Sequence, residues 1–246
     1  MDLILGAAIF FIGFIQAAIG STVSGGGIIA IPALMALGVP PLMTLGTIRP
    51  AYLAGAFVSG WRFKVRGYLK LKEALTMIVP AFIGALIGAS LILRVSETFT
   101  KYLIAAVVLV SIILLLVKKE AGVVKTKKKH SVILLVIIGF GTGIISGAVG
   151  IVGGTISMVA LIILEGFTFK EAIALNNVRG LGNQTAALIV FALASFILWD
   201  YAIILMLGSI VGGIVGVEIA HKLPLKMLKP IFIVVAILLT IKFLFF

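Results

Sequence analysis

Two glycine-rich breaks inside otherwise apolar stretches restrict what this chain can fold into more than any other feature. The first reads Gly20-Ser21-Thr22-Val23-Ser24-Gly25-Gly26-Gly27 and the second Gly147-Ala148-Val149-Gly150-Ile151-Val152-Gly153-Gly154. In water such runs mark surface loops. The flanks here are too apolar for that, so the breaks are expected at membrane depth, where irregular backbone survives only if protein buries it or it lines a polar cavity. Glycine permits open dihedrals and close backbone approach, and the hydroxyls of Ser21, Thr22 and Ser24 can satisfy the backbone groups that a break sets free. A break of this kind that occurs twice points to the binding site of a transporter.

The class follows from how little of the chain can face water. With 62% hydrophobic residues, 11% charged residues and a mean hydropathy of +1.34, the chain cannot hide its apolar surface as a soluble domain and is expected to be a multi-pass protein of the plasma membrane. A net charge of +12 would suggest nucleic acid for a soluble protein. Here the basic residues fall in short loops between apolar runs, which reads as membrane topology, and no nucleic-acid partner is expected. The absence of cysteine excludes disulfides and thiolate ligands. The opening Met1-Asp2 lacks the basic stretch of a cleavable signal peptide, so the first apolar segment is expected to be retained.

Ten apolar segments are expected, near residues 3–19, 25–37, 40–60, 74–93, 102–117, 131–149, 153–164, 172–198, 201–220 and 228–246, all helical because the alternation of spanning strands is missing. The second and seventh are short. About 13 residues rise roughly 20 Å against a hydrocarbon core of roughly 30 Å, so these are expected as half-helices or re-entrant pieces. The basic stretch 118–130 divides the chain into a first transmembrane repeat, 1–117, and a second, 131–246.

Landmarks recur between the halves. Gly26 matches Gly153, Arg49 matches Arg179, Gly84 and Gly88 match Gly212 and Gly216, and Lys101 matches Lys229, with offsets of 127 to 130 residues. Chance alignment of aliphatic runs is the alternative, but paired arginines and spaced glycines are harder to match by chance. If each half crosses the membrane an odd number of times, one side holds 15 Lys and Arg while the other holds only Arg94, Lys101 and Lys242. The positive-inside rule favours this inverted arrangement, with the linker cytoplasmic and the N-terminus outside.

The paired Gly-Phe openings (Gly13-Phe14 and Gly139-Phe140), the glycine hinge, the half-helix with Ile31-Pro32 and the second-half Gly212/Gly216 pair before a basic-tailed final helix together resemble the TauE/SafE family. The resemblance covers nearly the whole chain. It implies a permease for sulfite, sulfonates or related sulfur oxyanions and organic anions. The chain departs from the commonest pattern at Ser21-Thr22-Val23-Ser24, where a more glycine-rich run is usual, and at Arg49-Pro50 and Asn176-Asn177-Val178-Arg179, where milder residues are common.

Read from the residues alone, the polar groups at depth also favour an anion. Arg49 and Arg179 lie inside apolar segments, while all eight acidic residues fall at segment ends or in loops. A buried arginine is costly unless paired or wetted, so two without a carboxylate at the same depth imply an anion that the chain does not supply. The guanidinium fork matches the oxygen pair of a sulfonate, carboxylate or phosphate. Half-helices starting at Gly25, Gly26 and Gly27 and at Gly153, Gly154 and Thr155 would add N–H donors and positive dipole ends. The expected substrate site therefore comprises Arg49, Arg179, Ser21, Thr22, Ser24, Gly25, Gly26, Gly27, Gly153, Gly154, Thr155, Asn176 and Asn177, with no metal and no cofactor.

Plainer readings stand beside this one. Each arginine can instead satisfy helix-end carbonyls at a nearby break, the hinge glycines can serve close packing, and Asn176, Asn177, Asn183 and Gln184 can bond across helices. Gly84, Gly88, Gly212 and Gly216 read as packing residues, and Trp61 and Trp199 as interfacial anchors. No nucleophile with a base and no buried carboxylate pair is present for an intramembrane enzyme. An anion channel is the alternative to a transporter, and repeats with broken helices favour the transporter.

Overall fold

The computed structural model describes residues 2–117, 130–150 and 152–222. Ten α-helices run through them: α1 Leu3–Val23, α2 Gly27–Ala36, α3 Pro41–Thr47, α4 Arg49–Val65, α5 Leu71–Ile92, α6 Glu97–Val117, α7 Val132–Ala148, α8 Val152–Ile163, α9 Phe169–Leu193 and α10 Trp199–Lys222. There is no strand among the described residues. The linker 118–129 and the expected final segment, 228–246, lie outside them. Leu3–Thr22, Leu71–Ile92 and Trp199–Lys222 are long and apolar enough to cross a membrane.

One expected segment is two helices. The stretch 40–60 divides at Ile48 into α3 and α4. Pro50 has no N–H to give to a carbonyl one turn back, and its ring biases Arg49 away from a continuing helix, so the chain restarts with proline in the first turn, where proline fits. At the matching place in the second half, Gly180 follows Arg179 and keeps its N–H, and α9 runs unbroken for 25 residues. Elsewhere caps move the boundaries. Ser96 Oγ accepts from Phe99 N at the start of α6, earlier than the apolar run alone suggests. Thr168 and Glu171 form a reciprocal capping box at the start of α9.

Two interlocked helix pairs hold the assembly together, α1 with α10 and α5 with α7. Glycine lets them meet backbone to backbone. A methyl group at Gly13, Gly208 or Gly212 would overlap a carbonyl of the partner helix, and one at Gly84, Gly88 or Gly147 would do the same in the second pair. The contacts also fix direction. Gly208, Gly212 and Gly216 meet Phe10, Phe14 and Ala18 in ascending order, so α1 and α10 run in the same sense. Gly84 and Gly88 meet Phe140 and Ile144, so α5 and α7 also share a sense. Gly213 lies against Gly55 and Ser59 while Arg62 reaches Glu218, which places α4 alongside α10 in the same direction. Gly60 meets Val178 whereas Gly180 meets Ala56, so α9 runs against α4. Lys70 meets Glu171 and Ile78 meets Gly182, so α9 runs with α5, and these six helices form two sets of opposite direction, α1, α4 and α10 against α5, α7 and α9.

This arrangement gathers the ends of α4 and α10 and the starts of α5, α7 and α9 on one face. Arg62 and Arg66 both donate to Glu218, Lys70 pairs with Glu171 at 3.9 Å, and the Tyr68 hydroxyl lies 3.1 Å from His221 Nδ1. His130 stacks on Phe167 with its Nδ1 3.3 Å from buried Glu165. Along the flank the surface is apolar. On α5, Leu75, Val79, Ile83, Ile87 and Leu91 form an exposed stripe at four-residue spacing. Such a stripe is stable against hydrocarbon and a liability against water. Two apolar clusters fill the interior, one around α2, α3 and the ends of α1 and α9, the other among α5, α7, α8 and α9.

Candidate functional site

The two glycine breaks meet. α1 ends at Ser24, whose backbone is left-handed (φ 59°) and whose N–H returns to the Gly20 carbonyl. The chain then doubles back so tightly that a methyl group at Gly26 would overlap the Gln16 carbonyl. In the second half Gly150 makes the corresponding turn with φ 83°, open to glycine and strained for other residues. Three contacts tie the breaks together: Thr155 Oγ1 donates to the Ser24 carbonyl at 2.7 Å, Asn176 Nδ2 donates to Ser24 Oγ at 2.6 Å, and Gly154 lies against both side chains.

Beside this junction is a cavity of about 100 Å³ lined from α1, α4, α7, α9 and both breaks. Of the residues expected from sequence, Ser21, Ser24, Gly25, Gly26, Gly27, Gly154, Asn176, Asn177 and Arg179 line it. Arg49, Thr22, Gly153 and Thr155 do not. Thr22 Oγ1 turns back to the Ile19 carbonyl, Gly153 packs against Thr142 and Ser146 of α7, and Thr155 is spent on Ser24. Gln16, Tyr52 and Ser146 line the cavity without having been singled out in the sequence. Gln16 carried a legible signal, an amide in the middle of an apolar segment, and it donates to Ser209 Oγ at 2.7 Å. Tyr52 and Ser146 carried none, because a lone hydroxyl in a helix is ordinary.

The two arginines are both buried and are used differently. Arg49 is saturated with oxygen acceptors from the protein. Its Nε donates to the Leu45 carbonyl, Nη1 to the Ser146 carbonyl and Gln184 Oε1, and Nη2 to the carbonyls of Gly147 and Ala148, at 2.8 to 3.5 Å. It thus closes the C-terminal end of α7, where the break leaves carbonyls without N–H partners and the helix dipole is negative. The Phe191 ring covers it at 5.3 Å. For Arg49 the geometry is that of the plainer reading, a cation on helix-end carbonyls behind the cavity wall.

Arg179 faces the cavity. Its Nε and Nη2 donate to Asn176 Oδ1 at 3.1 and 3.0 Å, and Nη1 to Thr142 Oγ1 at 3.1 Å. A guanidinium has five N–H groups, so two remain for a ligand. No carboxylate pairs with either arginine among the described residues. Three further polar atoms of the lining lack partners: Tyr52 OH, Ser146 Oγ and Asn183 Oδ1. Unpaired polar groups at this depth are costly in a closed protein and are satisfied when a polar ligand enters.

Glycine-locked apolar helices around a partly open cavity that holds a buried arginine define a helical membrane protein. The chain belongs to the sulfite exporter TauE/SafE family, whose profile matches residues 5–243. It is 30% identical over 243 residues to a probable membrane transporter protein, ORF9, of Sinorhizobium sp, covering 97% of this chain and 92% of that one. A probable membrane transporter protein of Haemophilus influenzae is 26% identical over 237 residues, 96% of this chain and 93% of that one. The probable membrane transporter protein YfcA of Escherichia coli K12 is 25% identical over 244 residues, 99% of this chain and 90% of that one. No solved structure matches.

Proposed function

We propose that the protein is a multi-pass plasma-membrane carrier for a small anion, with residues 1–117 and 131–246 as inverted repeats, a cytoplasmic linker between them and the substrate bound where the two breaks meet. The observation that carries this reading is Arg179, a buried cation with two uncommitted N–H groups and no carboxylate, facing a cavity lined by both breaks. The opposite directions of α1 and α7, of α4 and α9, and of α5 and α10 support the inverted arrangement. The gathering of Arg62, Arg66, Lys70 and Lys170 at one end supports a cytoplasmic assignment for that face.

The cavity, about 100 Å³ and partly open, has room for a compact oxyanion, and a longer organosulfonate can extend out of it. The family's description as sulfite exporters favours sulfite. The relatives' description as transporters favours a carrier over an anion channel.

The test is counterflow in proteoliposomes. Internal sulfite should accelerate uptake of labelled sulfite, thiosulfate and sulfate should compete according to fit, and short carboxylates should compete weakly. Anion passage without trans-stimulation would replace the carrier with a channel, and absence of sulfite binding to the folded protein would remove the substrate assignment.

A further inference from the structure

The two breaks have the same resources and are served unequally. Resting on the reading of the protein as a two-repeat carrier, we propose that Arg49 and Arg179 exchange roles during transport: in each facing state one guanidinium closes a helix end while the other holds the anion.

The asymmetry is specific. Ser146, Gly147 and Ala148 at the end of α7 stand 126 residues beyond Gly20, Ser21 and Thr22 at the end of α1, the same spacing that separates Gly139 from Gly13. The α7 carbonyls all accept from Arg49, which comes from the other half of the chain. At the α1 end no side chain donates to the carbonyls of Gly20, Ser21 or Thr22 among the described residues. The residue matching Arg49 is Arg179, and it is folded onto Asn176 and Thr142 instead. Gly20 and Ser21 line the cavity together with Arg179. At the α7 end Ser146 also lines it, but the carbonyls of Ser146, Gly147 and Ala148 are occupied by Arg49.

An inverted repeat can place its two halves in exchanged conformations, and the state facing the other side is then this one with the roles swapped. In that state Arg179 donates to the carbonyls at the end of α1, and Arg49 leaves the end of α7 to face a cavity beside Ser146. The physics permits the swap. A helix C-terminus carries about half a negative charge and carbonyls without intrahelical partners, so it substitutes for the anion as the partner of a buried guanidinium. The substrate then meets one free guanidinium from either side.

Thiol labelling in proteoliposomes tests this without any ligand, because the native chain has no cysteine. Gly20→Cys and Ser146→Cys are introduced separately and reacted with a small methanethiosulfonate reagent. Both line the cavity, but Gly20 has open space around an added Cβ, whereas Ser146 is 1% exposed and its carbonyl is held by Arg49 Nη1. The Gly20→Cys protein should react at least tenfold faster than the Ser146→Cys protein. With Arg49→Gln added the order should move toward reversal, Ser146→Cys rising at least fivefold and Gly20→Cys falling. With Arg179→Gln added, Ser146→Cys should stay slow. Unchanged rates after Arg49→Gln, or both rates rising together, overturn the exchange; the second result marks a loosened bundle. If Arg49→Gln does not survive purification, Arg49→Lys, which reaches fewer of the carbonyls, should move the rates in the same directions by less, and unmoved rates there also overturn it. Sulfite binding is measured separately, by titration of the unlabelled protein, because sulfite consumes methanethiosulfonates. Reversal without sulfite binding supports the exchange and removes sulfite as the ligand, whereas binding without reversal overturns the exchange and keeps the anion site.

Discussion

Arg49 and Arg179 look interchangeable in the sequence and differ in what they face. Replacing Arg179 by Gln removes charge-assisted contacts of roughly 1.5 to 3 kcal/mol each, so sulfite affinity should fall by about tenfold or more while the protein remains folded. Arg179→Lys should recover only part of it, because a point charge cannot keep Asn176 and Thr142 occupied and also present a planar pair of donors. Isothermal titration on monodisperse protein decides the matter; unchanged affinity in folded Arg179→Gln would make this arginine structural. Arg49→Gln should instead show its first effect in stability. Buried carbonyls left without donors cost about 1 to 3 kcal/mol each, and at roughly 2 to 4 °C per kcal/mol for a chain of this size the thermal midpoint should drop by several degrees. An unchanged melting curve would show that the three carbonyls find other donors.

The helices are defined by where they stop and by how closely they approach. Gly88 and Gly212 sit where the partner backbone leaves no room for a methyl group. Alanine at either position should destabilise by about 1 to 3 kcal/mol through overpacking. Gly141 is the internal control: it lies in α7 with nothing near an added Cβ, so Gly141→Ala should be neutral or stabilising by up to about 1 kcal/mol. Thermal unfolding of the three variants under one detergent condition separates close packing from a general demand for glycine; equal effects at all three positions would refute the packing account. At the breaks, Thr155→Val removes the hydroxyl that holds the Ser24 carbonyl and should cost about 0.5 to 1.5 kcal/mol.

At the scale of the molecule, the prediction is sidedness. Lys64 lies near the end of α4, beside Arg62 and Arg66 on the basic face, and Asp200 lies in the first turn of α10, which runs toward that face. Cysteines placed singly at these two positions should label from opposite sides of the membrane with an impermeant maleimide, Lys64→Cys from the cytoplasm and Asp200→Cys from outside. Labelling from the same side would replace the inverted arrangement with parallel repeats.

Hydropathy, glycine spacing and the placement of charge were enough to indicate a helical membrane protein, the two breaks, the short α2 and α8 and nine of the twenty residues around the cavity. These are local properties: an apolar run needs an apolar surrounding, and a glycine cluster breaks a helix wherever it stands. The division at Ile48 was also written locally, in Pro50, but hydropathy averages over it. What one chain of letters did not separate was Arg49 from Arg179. Both are arginines in apolar segments, and their difference depends on which carbonyls and amides the packing of α4, α7 and α9 brings within about 3 Å of each guanidinium. Gln16, Tyr52 and Ser146 became lining residues for the same reason. A side chain's partner across helices is a fact of three-dimensional register, and only the tertiary structure decided it.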